Sequence, residues 1–150
     1  MRIVLLEPEI PQNTGSIARL AAATETALDL IGPLGFSLED RYLKRAGLDY
    51  WPWVKLVVHE SWDSYCAGSH SGRLIGFSAR ASTPYTRCEF RGDDRLLFGK
   101  ETKGLSPQVI EGLGADVYAI PICSPHVRSL NLSNAVSIVV YEARRQLGLF

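Results

Sequence analysis

The stretch RLLFGKETKGLSP, residues 95–107, decides the fold. Arg95, Leu96, Leu97 and Phe98 form a short apolar run that Gly99 stops, the pattern of a buried strand. Ser106 and Pro107 then open a helix. The serine hydroxyl can accept an end N–H, and proline at the first helical position gives up only a donor that would lack a partner anyway. A strand, a glycine loop and a helix start in so short a span is the building unit of an α/β domain.

The same unit recurs on either side. IVLL at 3–6 reads as a strand that ends at Glu7-Pro8, and Asn13 or Thr14 is expected to cap a helix running to about residue 24, with Ile17, Leu20, Ala21 and Thr24 on one face. ALDLI at 27–31 is a second strand closed by Gly32-Pro33. SLED at 37–40 resembles a capping box, with a short basic helix behind it that ends at Gly47. A third strand is expected at 55–59. Ser61 caps a helix carrying Trp62 and Tyr65. Strands follow at 74–77, 95–98 and 117–120, and a long helix spans 133–147 with Leu132, Val136, Val139, Val140, Ala143 and Leu147 at core spacing. The reading is α/β: a mostly parallel six-stranded sheet flanked by helices. Such sheets bind ligands beyond the carboxyl ends of their strands, here Glu7, Phe77-Ser78, Gly99 and Ile120-Pro121.

A chain of 150 residues, 46% hydrophobic and 21% charged, fits one globular domain with a substantial core. MRIVLLEPEIP lacks the apolar stretch of a signal peptide, so a cytoplasmic location is expected. The net charge is zero, which argues against holding nucleic acid by overall charge but leaves room for a local basic face. Arg41, Lys44 and Arg45 are candidates for one, with Tyr42, Tyr50, Trp51 and Trp53 nearby; a solvated surface helix over core aromatics explains the same letters equally well. Cys66, Cys88 and Cys123 form no C-x-x-C, and His59, His70 and His126 have no ligand spacing, so neither a disulfide framework nor a metal site is expected.

Gly99, Gly104 and Ser106 echo a phosphate-binding loop, but Leu105 stands where its lysine belongs and Pro107 removes an amide from the cradle. There is no G-x-G-x-x-G, and GFSAR at 76–80 has Arg80 in place of the second glycine of a nucleophile elbow. What remains is a tight loop at a strand end, or a plain turn. RSLNLSNA at 128–135 is more informative. One polar residue suffices to cap a helix, yet Ser129, Asn131, Ser133 and Asn134 crowd its start behind Arg128. A ligand rich in heteroatoms would explain the surplus; capping with an incidental serine run is the plainer alternative.

EPEIPQNTGSIARL, KRAGLDYW, FGKETKGL and IPICSPHVRSLNLSNAVSIVVYEARRQLG together resemble the SPOUT methyltransferases, in particular the tRNA wobble-nucleotide 2′-O-methyltransferases that modify cytidine or uridine 34 of leucine tRNAs. The resemblance covers essentially the whole chain. It implies a single SPOUT domain over residues 1–150 with a C-terminal trefoil knot, an exception to the rule that chains do not knot. It also implies S-adenosylmethionine as methyl donor, released as S-adenosylhomocysteine, a homodimer, the tRNA anticodon stem-loop as substrate, and neither membrane nor metal. The donor pocket it implies takes Phe77, Gly99, Glu101, Gly104, Ile120, Ser129 and Leu130, with Ser133 and Asn134 joining Asn131 at the knot loop. Arg19 and Tyr141 match positions used for catalysis or substrate placement. For an RNA substrate, the basic cluster Arg41, Lys44 and Arg45, with Arg128, supplies the expected RNA contacts. ICSPHV at 122–127 is one residue longer than the family pattern, which leaves the adenine contacts there open. A methyltransferase for another tRNA or rRNA site, or a catalytically silent knotted RNA-binding protein, would carry the same motifs.

Overall fold

The computed structural model describes residues 1–39, 41, 43 and 50–150. Its six strands are β1 (Arg2–Leu6), β2 (Ala27–Ile31), β3 (Leu56–His59), β4 (Leu74–Phe77), β5 (Arg95–Phe98) and β6 (Val117–Tyr118). They form one sheet in the order β3-β2-β1-β5-β4-β6, and every strand pairing is parallel. The central strands are covered on both faces, which is why they read as continuous apolar runs rather than as alternation. The strand order reverses between β1 and β5, so the crevice beyond their carboxyl ends lies between Glu7 and Gly99.

Four helices whose residues are all described cover the sheet: α1 (Pro11–Ala23), α2 (Trp62–Ala67), α3 (Pro107–Leu113) and α4 (Leu132–Gln146). The period-2 alternation of the strands sorts the apolar residues into two cores. Ile3, Leu5, Leu28, Leu30, Leu96 and Phe98 pack with Ile17, Ala18 and Ala21 of α1 and with Val136, Val139, Val140 and Ala143 of α4. Val4, Leu6, Ile31 and Leu97 point the other way, to Tyr65 of α2, Leu105 and the partly buried Val109, Ile110 and Leu113 of α3. Two carboxylates are buried, Asp29 in the middle of β2 and Asp94 just before β5, each held by an arginine. Asp29 accepts from Arg2 Nε at 3.0 Å, and Asp94 accepts from Arg73 Nε at 3.0 Å and Nη2 at 2.9 Å. Burial of a charge is tolerated only with such a partner.

β2, β4 and β5 have the bounds expected, and Ser61 and Ser106 cap α2 and α3 through Ser64 N–H and Val109 N–H. Five starts or ends differ, the first being β1, which begins at Arg2, one residue earlier than expected. α1 starts at Pro11, not at Asn13 or Thr14, and both of those residues are buried inside its first turns. Proline fixes the entry angle, and the start is satisfied from a distant segment, the Glu101 carboxylate. α4 starts at Leu132 because the Asn131 carboxamide, not Ser133 or Asn134, accepts from the first free amides. β3 begins at Leu56, one residue later than expected. β6 stops at Tyr118 because Ala119 pairs instead with Pro84 of the long 79–94 loop. In the expected capping box, Ser37 Oγ accepts the Glu39 N–H at 3.2 Å; Asp40, Tyr42 and residues 44–49, including most of the expected basic helix, lie outside the described residues. Among the described residues no helix is long and apolar enough to cross a membrane.

Candidate functional site

The loop after β5 is built by the chain closing on itself. A Cβ on Gly99 would lie 2.1 Å from Gly104 C and 2.3 Å from Leu105 N, so only glycine permits this approach. Gly104 donates its N–H to Lys100 O at 2.8 Å, and its φ of +66° belongs to the left-handed region. Leu105 is buried in the α2/α3 core, and the Ser106 hydroxyl is engaged as the cap of α3. Neither residue is available to phosphate, which disposes of the phosphate-loop reading.

The carboxyl ends of β4, β5 and β6 open onto a cleft of about 440 Å³. Phe77, Gly99, Glu101, Gly104, Ile120, Ser129 and Leu130 all line it, as does Arg128. Phe77 is stacked on Phe98 with ring centroids 5.0 Å apart, and on its other neighbour Phe90 at 6.4 Å. The strand-end wall is therefore apolar and fixed. The opposite wall is made by Ile122 and by Arg128, Ser129 and Leu130; the chain turns between them at residues 125–126, where the His126 N–H donates to Ser124 Oγ, while the main chain of 128–130 is outside any helix or strand and can meet a ligand. Ser133 and Asn134 do not line the cleft. They lie in the first turn of α4, where the Ser133 hydroxyl donates to Asn131 Oδ1 at 2.7 Å.

Glu101 has a second task that sequence reasoning missed. Its carboxylate accepts Glu9 N–H at 2.7 Å, Ile10 N–H at 3.2 Å and Asn13 Nδ2 at 3.2 Å. It thereby satisfies donors at the start of α1 that no local side chain caps. Asn131 Nδ2 in turn donates to Asn13 Oδ1 at 2.9 Å. One chain of hydrogen bonds thus joins the 99–104 loop, the start of α1 and the start of α4. Glu9 returns the connection: its carboxylate accepts Thr102 N–H at 3.0 Å and the Thr102 hydroxyl at 2.8 Å, and these bonds hold its pKa below the usual carboxylate range. Lys100, beside them, is paired with Glu7. The surplus of polar letters in EPEIPQN and RSLNLSN was the one available signal, but pattern could not say that they bond to each other.

Arg19 and Tyr141 stand apart from the cleft lining. Arg19 is exposed on α1 with its guanidinium carbon 4.4 Å from the Tyr50 ring centroid, a cation–π contact. Tyr141 is 52% exposed on α4, and its ring lies 5.9 Å from that of Phe150. Of the four expected RNA contacts, Arg128 is on the cleft, Arg41 is exposed elsewhere, and Lys44 and Arg45 lie outside the described residues.

Residues 1–141 match the SpoU rRNA methylase family. Over 147 residues the chain is 47% identical to a tRNA (cytidine(34)-2′-O)-methyltransferase of Saccharophagus degradans, a match spanning 97% of this chain and 95% of the relative. A structure solved for "Structural insights into the 2-OH methylation of C/U34 on tRNA" superimposes with a TM-score of 0.91 at 47% identity, over 98% of this chain and 90% of that one. The SpoU methyltransferase AviRb from Streptomyces viridochromogenes, solved in complex with the cofactor AdoMet, superimposes with a TM-score of 0.84 at 25% identity, over 100% of this chain and 61% of its own.

Proposed function

The chain belongs to the SpoU methylase family, and from that premise we propose that it transfers a methyl group from S-adenosylmethionine to the ribose 2′-oxygen of the wobble nucleotide, position 34, of tRNA, with leucine tRNAs as substrates. The observation that carries this reading is the cleft. Its volume lies in the range of small-molecule sites. It sets an apolar wall of Phe77, Ile120 and Leu130, with Phe77 stacked on Phe98, beside the irregular main chain of residues 128–130. An adenine needs both: an apolar slot for its faces and main-chain partners for its edge nitrogens. The donor fits the residues present.

When bound, S-adenosylmethionine supplies an electrophilic methyl group on a sulfonium. The protein's part is to hold the attacking oxygen in line with it, and positioning of that kind supplies much of the acceleration in a displacement. A guanidinium offers donors in a planar fork and no acceptor, so the part it suits is that of a positive clamp. Arg19 serves as a bidentate grip on a phosphate or as the counter-charge to the oxygen as its proton leaves, not as the base. Glu101 holds the start of α1, and so the helix that carries Arg19, against the cleft loop. Tyr141 orients the sugar, in the same chain or across a dimer. In this reading residues 120–131 close a trefoil knot within one domain, and the exposed Tyr141, Leu149 and Phe150 face a second copy of the chain. Arg41, Lys44, Arg45 and Arg128 meet RNA phosphates.

The test is mass spectrometry of wobble nucleosides from tRNA incubated with the protein and labelled donor. Label on the 2′-oxygen of nucleotide 34 is expected. Label elsewhere would point to another tRNA or rRNA site, and absence of S-adenosylmethionine binding by calorimetry would point to a silent RNA-binding protein. Arg19→Ala is expected to abolish methylation while donor binding persists; full turnover by that variant would remove Arg19 from the chemistry.

A further inference from the structure

A second cavity, of about 460 Å³, lies on the far side of the 99–106 loop from the donor cleft. Its floor is apolar, made by Leu6, Leu105, Pro107 and Val109. Trp62 forms a wall, and its indole is stacked on the buried Tyr65 with centroids 5.8 Å apart and planes 21° from parallel, so the ring is held in place. Arg80, Lys100 and Lys103 line this cavity and the donor cleft alike, which makes the two continuous around the loop. Lys100 is neutralised by Glu7. Arg80 and Lys103 are exposed and have no ion-pair partner among the described residues.

Packing requires none of this. A cavity that served only the fold would be filled from α3, and two exposed cations without a close ion pair among the described residues would not be gathered at its mouth. Single-stranded RNA, by contrast, is held by aromatic rings on which bases stack and by cations that follow the phosphates. We propose that this second cavity is a subsite for a nucleotide flanking the methylated one, with its base against Trp62 over the apolar floor and its phosphate on Arg80 and Lys103. The subsite rests on the reading of the chain as an RNA methyltransferase. It adds a contact on the α2/α3 side of the sheet, where that reading had placed none. Because every base has a stacking face, the subsite tolerates sequence. It serves register, fixing which ribose reaches the donor cleft, more than identity.

The experiment uses the full chain and a fluorescently labelled anticodon stem-loop RNA. Binding is followed by anisotropy and methylation by transfer of labelled methyl, with donor affinity measured by calorimetry. Trp62→Ala is expected to weaken RNA binding and raise the KM for RNA on the order of tenfold, with kcat and donor affinity unchanged. Trp62→Phe retains a ring and is expected to restore most of the binding; Trp62→Leu fills the wall without a stacking face and is expected to behave like alanine. Arg80→Ala and Lys103→Ala should each reduce the salt slope of RNA binding by about one. Rescue by leucine equal to that by phenylalanine would reduce Trp62 to a packing residue and overturn the subsite. So would wild-type RNA affinity in a Trp62→Ala protein whose thermal melt shows it folded, or a wild-type chain that binds no RNA. If the wild type binds RNA and loses it with Trp62 yet methylates nothing, the subsite stands and the proposed activity falls. If it methylates normally without Trp62, the reverse holds.

Discussion

On one face of the sheet α1 and α4, helices of 13 and 15 residues, bury Ile17, Ala21, Val136, Val139 and Val140 completely or nearly so. On the other face α2 and α3 have 6 and 7 residues, and Val109, Ile110 and Leu113 are only partly covered. The long helices bring side chains from distant segments to one place: Glu101, Asn13 and Asn131 are bonded in series at the edge of the donor cleft. The short helices are capped by their own serines and leave a gap, the second cavity. Well-covered apolar surface supports fixed geometry, whereas thin cover leaves room for a ligand.

The strongest test of this contrast uses neighbours on β5. Leu96 and Leu97 are both fully buried but point to opposite faces. Truncation of either to alanine is expected to cost about 2–5 kcal/mol in urea denaturation. Leu96→Ala should also weaken donor binding, because it loosens the bed of α1 and α4; Leu97→Ala should leave it intact. Equal donor affinities in the two variants would break the comparison.

The caps give the next effect. Asn131→Ala removes the α4 cap and a partner of the buried Asn13, and is expected to cost about 2 kcal/mol and to lower methylation. Ser106→Ala removes a local cap on α3, with an expected cost of about 1 kcal/mol and unchanged turnover. A Ser106→Ala protein as impaired in turnover as Asn131→Ala would show that the two faces are not distinct in function.

Thiol chemistry sharpens the picture further. Cys88 belongs to the α1/α4 core, and burial pushes its pKa up to about 11. At pH 8 about one in a thousand of these thiols is ionised. Iodoacetamide should label the exposed Cys66 and Cys123 but reach Cys88 only after unfolding; labelling of Cys88 in the native protein would show that the larger core opens. The smallest effect lies on the outer side of α4, where hydrogen bonds from Arg145 and Gln146 hold the Glu142 carboxyl at about 2. A folded pKa below the unfolded one stabilises above the ordinary value of 4.5, and the gain is lost as pH falls toward 2. Glu142→Gln should therefore lower the melting temperature at pH 7 by about one degree and leave it unchanged near pH 2.

Buried parallel strands between turn residues are legible as apolar runs, and so β2, β4 and β5 were expected with their observed ends. Local caps are legible as well, since Ser61 and Ser106 bond to amides three residues on. The starts of α1 and α4 were misplaced for one shared reason. Asn13 looks like a cap by type and position, yet it is buried and spends its carboxamide on Glu101 and Asn131. Gly99 was expected where backbone approaches a ligand; it lines the cleft, but the atoms that exclude a Cβ are those of Gly104 and Leu105.

The chain's own pattern determined the alternation of strands and helices, the apolar faces and the family, because periodicity, turn residues and contiguous motifs are local properties. Tertiary structure alone decided which polar groups meet. Glu101 reaches Asn13 across 88 residues, and Asn131 reaches it across 118. These contacts exist because β5 is inserted beside β1, which brings the loop after β5 against the start of α1. Strand order is set by the burial of all faces at once, and no single stretch of the chain contains it.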